Sequence, residues 1–169
     1  MTRTTAREIA IQLGFAAASA SIDPAEMMDT FFSEEHYSTL AAEDELYSQR
    51  PNKKQMDYIR RLLELGTEKR GEIDAYIERY SKGWKIERIS RTALAVLRCA
   101  LCEILYMDDI PDSAAINEAV ELSKGYDEPD TVSFVNGVLG GFMRGEFPEK
   151  RSELETIGDC AELQDNSED

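Results

Sequence analysis

Apolar residues recur every three or four positions along most of this 169-residue chain, and no run alternates convincingly between apolar and polar residues. A spacing of three to four places apolar side chains on one face of an α-helix, whereas a half-buried strand requires a spacing of two. The pattern therefore predicts an all-α protein.

Capping residues, prolines and glycines divide this pattern into successive helices. Thr5 and Glu8 have the spacing of a capping box for the first helix, and Asp23 followed by Pro24 marks the start of the second. The predicted helical segments are 5–21, 24–32, 34–47, 56–80 with a bend at Gly66 or Gly71, 91–107, a segment capped by Asp112 or Ser113 that closes at Gly125, and 130–145.

The segment 91–107 is apolar almost all round, which is typical of the buried central helix of a bundle. Cys99 and Cys102 lie inside it with CxxC spacing. A zinc site requires four ligands, and Cys160 and His36 do not complete one at any usual spacing. A redox CxxC normally opens a helix, so we interpret both cysteines as small core residues.

The formal net charge is −15 at pH 7, which argues against a protein that coats DNA. This charge is distributed unevenly, because residues 21–50 hold eight acids against Arg50 and residues 145–169 hold nine acids against two bases. Residues 1–20 are slightly positive, so a local nucleic-acid site is compatible with the acidic total.

After Gly145 the apolar periodicity fades. We predict a single domain over residues 1–145 and a disordered acidic tail over 146–169. Three cysteines without a disulfide pattern, no recognisable signal peptide and no long apolar segment predict a cytoplasmic protein that does not enter a membrane.

No residue pattern indicates catalysis. His36 is the only histidine and lies in an acidic segment, so no base is evident for a serine or cysteine nucleophile. Gly137, Gly140 and Gly141 fall within a helical pattern rather than after a strand, which argues against a phosphate-binding loop. We therefore expect a protein that is not an enzyme and that carries no metal or cofactor.

Two motifs in the C-terminal half carry the most specific signal. INEAVEL occupies residues 116–122, and FVNGVL occupies residues 134–139. At this separation the two motifs resemble the signature of the NusB family of bacterial transcription antitermination factors. The resemblance extends over residues 3–144 and includes Ala6, Arg7, Glu8, Gln12, Leu65, Gly66, Ile73, Asp74, Trp84, Arg88, Ile89, Leu97, Arg98, Ala100 and Glu103.

This resemblance implies about seven helices in two small bundles and a non-enzymatic function. Together with the ribosomal protein NusE, such a protein binds the boxA element of nascent RNA and helps RNA polymerase read through terminators, notably in rRNA operons. NusB-like proteins include both monomers and dimers, so a homodimer is a further expectation.

The resemblance also implies RNA contacts from an arginine-rich N-terminal segment, and here the chain departs from the family pattern. Its two arginines are separated by Thr4 and Thr5. The candidate RNA-binding residues are Arg3, Arg7, Phe15, Lys124 and Phe134. Because each phosphate contact adds to affinity and to its salt dependence, two missing arginines predict weak RNA binding without the protein partner.

Partner docking is expected on a surface of mixed charge around residues 84–112. The candidate partner-binding residues are Lys85, Arg88, Arg91, Asp108 and Asp112. Trp84, the only tryptophan, is predicted to lie in the core.

The motif residues also have a structural interpretation. We expect Asn117 and Asn136 to hydrogen-bond across the two C-terminal helices, and Glu118 to pair with Arg98, because buried polar groups require partners. Gly137 would allow another backbone to approach. The alternative function is an acidic helical protein-interaction module of the same fold with little or no RNA binding of its own.

Overall fold

The computed structural model describes residues 1–125 and 129–150, and in these ranges the chain is helical with no β-strand. Three short 3-10 turns lie at Glu45–Tyr47, Ile86–Arg88 and Pro148–Lys150. The eight α-helices of the described ranges are α1 (Arg3–Ala20), α2 (Pro24–Phe31), α3 (Glu34–Glu43), α4 (Lys53–Glu68), α5 (Arg70–Tyr80), α6 (Arg91–Tyr106), α7 (Asp112–Lys124) and α8 (Pro129–Glu146).

Capping residues set most helix starts, though not always the predicted ones. The Asp23 carboxylate accepts the amide of Ala25 at 3.1 Å and begins α2, as predicted. The capping box predicted for α1 is wrong, because the Thr2 side chain caps this helix by accepting the Thr5 amide at 3.1 Å. Neither Asp112 nor Ser113 caps α7, which follows Pro111 without a side-chain cap.

The long predicted helix 56–80 is divided into α4 and α5 at Lys69 rather than at Gly66 or Gly71. The Lys69 amide still donates to the Leu65 carbonyl at 2.8 Å, and the Lys69 carbonyl accepts from Ile73 at 2.9 Å. The interruption is therefore a single residue, and it explains why eight helices are found where about seven were expected.

The helices fall into an N-terminal group, α1 to α4, and a C-terminal group, α5 to α8. The central helix α6 packs on α5, α7 and α8 and also on α1 and α4, so one continuous core joins the two groups. Leu97 and Leu101 of α6 are fully buried. The prediction of a buried central helix over 91–107 is confirmed.

No helix within the described ranges combines the length and the apolar character that crossing a bilayer requires. The disorder predicted for the acidic tail falls mostly on residues 151–169, which lie outside the described residues. Up to residue 150 the chain continues through the end of α8 and a 3-10 turn.

The glycines of α8 do not lie against another backbone, contrary to expectation. A Cβ at Gly137 would have no neighbour within 4 Å outside its own stretch of helix, so this residue is open to solvent. At Gly145 a Cβ would overlap the ring of Tyr80, whose Cζ lies 2.7 Å from that position. The close approach at this end of α8 is therefore made by an aromatic side chain of α5.

These two glycines give a matched test of the packing. Gly137→Ala should stabilise the protein by about 0.5–1 kcal/mol, since it restricts the unfolded chain at no steric cost. Gly145→Ala should destabilise it by about 1–2 kcal/mol, because the methyl group displaces Tyr80. Urea unfolding followed by far-UV circular dichroism measures both, and equal effects of the two substitutions would contradict this account.

Candidate functional site

A buried polar cluster joins α1, α4 and α6. The Arg7 guanidinium is 3% exposed and donates from Nε and Nη2 to the two carboxylate oxygens of Glu103, at 2.7 and 3.0 Å. The Tyr58 hydroxyl donates to the same carboxylate, and burial raises the pKa of this phenol far above its ordinary value. A fork of two parallel hydrogen bonds is the strongest pairing available to an arginine.

This cluster corrects the RNA-binding role predicted for Arg7, because its guanidinium is part of the core and is not available to a phosphate. The predicted pairing of Glu118 with Arg98 is also wrong. Glu118 lies 3.5 Å from Arg7 and accepts the Thr4 hydroxyl at 2.9 Å. Arg98 instead binds Asp74 through two hydrogen bonds of 2.8 Å.

Arg3 is the exposed arginine of the N-terminal segment. Its guanidinium lies over the ring of Tyr58, 5.9 Å from the ring centre. Nearby, Arg61 binds Asp109 at 2.8 Å and lowers the pKa of that carboxyl, and the charge of Arg3 adds to this effect. Arg3 is thus the part of the predicted arginine pair that a ligand can reach.

Phe15 lies far from Arg3, since twelve positions along α1 correspond to about 18 Å. Its ring is 39% exposed and is covered on one side by the Arg91 guanidinium, 5.7 Å from the ring centre. A predicted RNA-binding residue and a predicted partner-binding residue therefore meet here. Both line an open groove between α1, α4 and α6, with a volume of about 440 Å³.

Trp84 is not in the core, contrary to the sequence prediction, because 54% of it is exposed. The turn that precedes it has positive φ at Lys82 and Gly83, and residues 82–85 are all exposed. The indole meets the ring of Phe134 edge to face, with ring centres 6.5 Å apart. Exposed Lys85 and Arg88 follow directly along the chain.

The predicted partner-binding residues do not form one surface. Lys85, Arg88 and Arg91 lie at or before the start of α6, whereas Asp108 and Asp112 lie beyond its end. The 16 residues of α6 span about 24 Å. All are exposed except Asp112, which is half-buried. Lys124 is exposed near the end of α7 and pairs with Glu121 at 2.8 Å.

The hydrogen bonds predicted between α7 and α8 are wrong. Asn117 and Asn136 are both exposed, and over residues 1–125 and 129–150 neither side chain forms a hydrogen bond. Small and branched apolar residues supply the contact instead. Both helices contribute to the shared core, and their buried apolar residues include Ala115, Ala119, Val135, Val138 and Leu139.

Cys99 and Cys102 are buried, as predicted for core residues. Burial raises the pKa of the Cys102 thiol to about 12 and that of Cys99 well above its ordinary value. A thiol that stays protonated at neutral pH is a poor nucleophile and a poor metal ligand. In the described part of the chain, no three metal-ligating side chains come together.

Sequence reasoning missed the buried cluster, although a signal was present. A lone carboxylate in the apolar segment 91–107 needs a charged partner, and Glu103 is such a residue. No pattern in the sequence indicated that Trp84 is exposed, since its exposure depends on the path of the turn at Lys82 and Gly83.

Comparison with known proteins identifies the relatives of this chain. The model of the NusB family matches residues 4–144. The transcription antitermination protein NusB of Symbiobacterium thermophilum is 37% identical over 145 residues, covering 86% of this chain and 91% of the relative. NusB of Ruminiclostridium cellulolyticum is 37% identical over 152 residues, covering 90% and 95%.

Solved structures agree with these relatives. T. maritima NusB has a TM-score of 0.70 and 26% identity, and the match covers 90% of this chain and 98% of that structure. A crystal structure of the antitermination factors NusB and NusE in complex with dsRNA has a TM-score of 0.65 and 22% identity, covering 85% and 96%. At that identity, the second likeness shows the fold alone.

The buried pair yields a stability prediction. Arg7→Met should cost about 3–5 kcal/mol of unfolding free energy, because it leaves the Glu103 carboxylate buried without its charge partner. Arg3→Met, a matched substitution four residues earlier, should change stability by less than about 0.5 kcal/mol, since Arg3 is exposed. Chemical unfolding measures both.

The double variant Arg7→Met/Glu103→Leu serves as the control, because removing both charges should recover part of the loss. A cost below about 1 kcal/mol for Arg7→Met would mean that the pair is not the main support of Glu103.

Proposed function

Because this chain belongs to the NusB family, we propose that it is a non-enzymatic transcription antitermination factor that binds boxA-type single-stranded RNA together with the ribosomal protein NusE. In this role it promotes read-through by RNA polymerase, notably in rRNA operons, as part of an antitermination complex in the cytoplasm. The match of the family model over residues 4–144 carries the proposal.

The RNA-binding part of the proposal depends on Arg3, Phe15, Lys124 and Phe134. Arg7 no longer contributes, because it is buried. Arg3 and Lys124 provide about two phosphate contacts, and each contact on a single strand contributes about −0.7 to the salt slope. The isolated protein therefore binds RNA weakly, and NusE supplies much of the affinity.

The surface around Trp84 is the better candidate for the protein partner. An exposed tryptophan in contact with a phenylalanine and flanked by basic residues has the composition of an interface anchor. Lys85 and Arg88 extend this surface. Arg91 begins α6, whereas Asp108 and Asp112 lie beyond its end, so these two contribute only if the partner extends along the whole helix.

One observation favours the alternative function, an acidic interaction module with little RNA binding. Arg7 is committed to the core through its two hydrogen bonds to Glu103, so it cannot contact a phosphate. The same fold would then serve through its protein-binding surface alone. A homodimer that covers the N-terminal face would have a similar effect on RNA binding.

Salt-titrated binding of boxA-type RNA tests the function. For the isolated protein, we expect a slope of log Kobs against log salt no steeper than about −1.5, and NusE should tighten binding at least about tenfold. Arg3→Ala should reduce the slope by about 0.7, whereas Arg60→Ala, an exposed residue of α4, should not change it.

The outcomes separate the two functions. Tight binding by the isolated protein would contradict its dependence on NusE. Absence of RNA binding even with NusE present would overturn the RNA-binding proposal and support the interaction module.

A second prediction concerns the partner surface. Trp84→Ala and Phe134→Ala should each raise the Kd for NusE at least about tenfold, because the first removes the exposed indole and the second removes the half-buried ring that supports it. Calorimetric titration measures this, with Arg60→Ala as the control that leaves affinity unchanged. If Phe134→Ala instead weakens RNA binding and not NusE binding, Phe134 is an RNA-stacking residue.

A further inference from the structure

The groove lined by Phe15 and Arg91 is a cavity for which the proposed function names no occupant. Its volume of about 440 Å³ falls in the range of sites that hold a small ligand or a few side chains. Many residues of its lining are small or aliphatic, and we call these the floor; they include Ala10, Gly14, Ala18, Leu63, Gly66 and Ala95.

Two arginines line this groove without a carboxylate partner. Arg70 begins α5 and Arg91 begins α6, and over the described ranges neither forms an ion pair. Arg91 is held over the ring of Phe15. The chain holds 34 acids and only 19 bases, so two guanidinium groups without a carboxylate partner are unusual in it. Beside an apolar floor, they favour an occupant that has both acidic and apolar groups.

The other charged residues of the groove are already satisfied. Arg98 is neutralised by the two hydrogen bonds from its guanidinium to Asp74. Asp23 accepts the amides of Ala25 and Glu26 as the cap of α2. The net positive charge available to an occupant therefore comes from Arg70 and Arg91.

The end of this same chain has the required chemistry. Residues 151–169 follow the family match, which ends at residue 144, and hold seven acids against Arg151. Leu154, Ile157 and Leu163 are spaced among those acids. The segment combines carboxylates for the two arginines with aliphatic side chains for the floor.

The segment is also long enough to reach the groove. Glu146, at the end of α8, binds Arg79 at the end of α5 at 2.9 Å. Arg70 lies nine residues back along α5, about 14 Å away. The 19 residues after Lys150 span up to about 60 Å when extended. Because the segment is tethered, its effective concentration is of millimolar order, so a weak contact suffices.

We propose that residues 151–169 dock in this groove of their own molecule, with carboxylates on Arg70 and Arg91 and aliphatic side chains on the floor. The docked segment covers Phe15 and Arg91. A ligand that uses either residue must displace it, so the segment acts as a built-in competitor of anionic ligands at this face. The docking itself is independent of whether the protein binds RNA.

A paramagnetic label on Cys160 tests the docking in the full-length chain. The raised thiol pKa values of Cys99 and Cys102 direct a nitroxide reagent to Cys160 near neutral pH, and mass spectrometry verifies a single label. In the ¹⁵N-labelled protein, amide signals of Ala18, Gly66 and Thr67 should lose about twofold or more in height, while those of Asn136 and Gly137 should be little affected.

Two variants, each with a matched control, test whether docking in the groove causes the broadening. Arg70→Glu/Arg91→Glu should abolish the broadening, and the same charge change at exposed lysines of α4, Lys53→Glu/Lys54→Glu, should preserve it. Gly66→Leu fills the groove, since a Cβ there meets no atom within 4 Å, and should also release the segment. Gly71→Leu is its control, because Gly71 is equally open but lies outside the groove.

The remaining outcomes would overturn the proposal. Uniform broadening over the surface would show no preferred contact, and broadening that survives both Gly66→Leu and the arginine reversal would place the contact elsewhere. Broadening in a mixture of labelled ¹⁴N chains with unlabelled ¹⁵N chains would assign the occupant to a second copy. Since no RNA or NusE is present, failure here leaves the proposed function untouched.

Discussion

The contact between Arg7 and Glu103 holds α1 against α6, the helix on which most of the others pack. Both side chains are buried, so a shift of one helix along the other would leave a charge without its partner in a medium of low dielectric constant. The two helices run antiparallel, so Phe15 of α1 meets Arg91 at the start of α6, and at the other end of α1 Thr4 binds Glu118 of α7. The buried pair thus fixes the register of α1 on α6, and contacts near both ends of α1 agree with that register.

This constraint changes what the N-terminal segment can do. A segment with two arginines suggests two phosphate contacts, but Arg7 supports the fold and only Arg3 faces solvent. Exposed Trp84 and half-buried Phe134 form an aromatic pair from different elements, and Trp84 follows directly after the turn at Gly83. The exposed groups that a ligand can reach therefore lie on surfaces assembled from several elements and not on an arginine pair in α1.

The net charge of −15 is distributed unevenly over the structure. Acids of residues 21–50 cap α2 and the 3-10 turn after α3, where carboxylates near helix starts are stabilised by backbone amides. In the groove the local charge is positive, because Arg70 and Arg91 have no carboxylate partner in the described ranges. A strongly acidic chain can thus present a basic apolar groove.

Most of the fold follows from the sequence alone, because helical periodicity, the Asp23 cap and the apolar segment 91–107 are local properties of the chain. The INEAVEL and FVNGVL motifs likewise indicate the family by themselves, since each is a contiguous stretch of residues. The placement of individual side chains is not local. Whether Arg7 is exposed, which partner Glu118 takes and whether Trp84 is buried depend on residues up to about a hundred positions away. Only the tertiary structure decided these points, because a buried charge or a projecting ring is determined by the helices that pack around it.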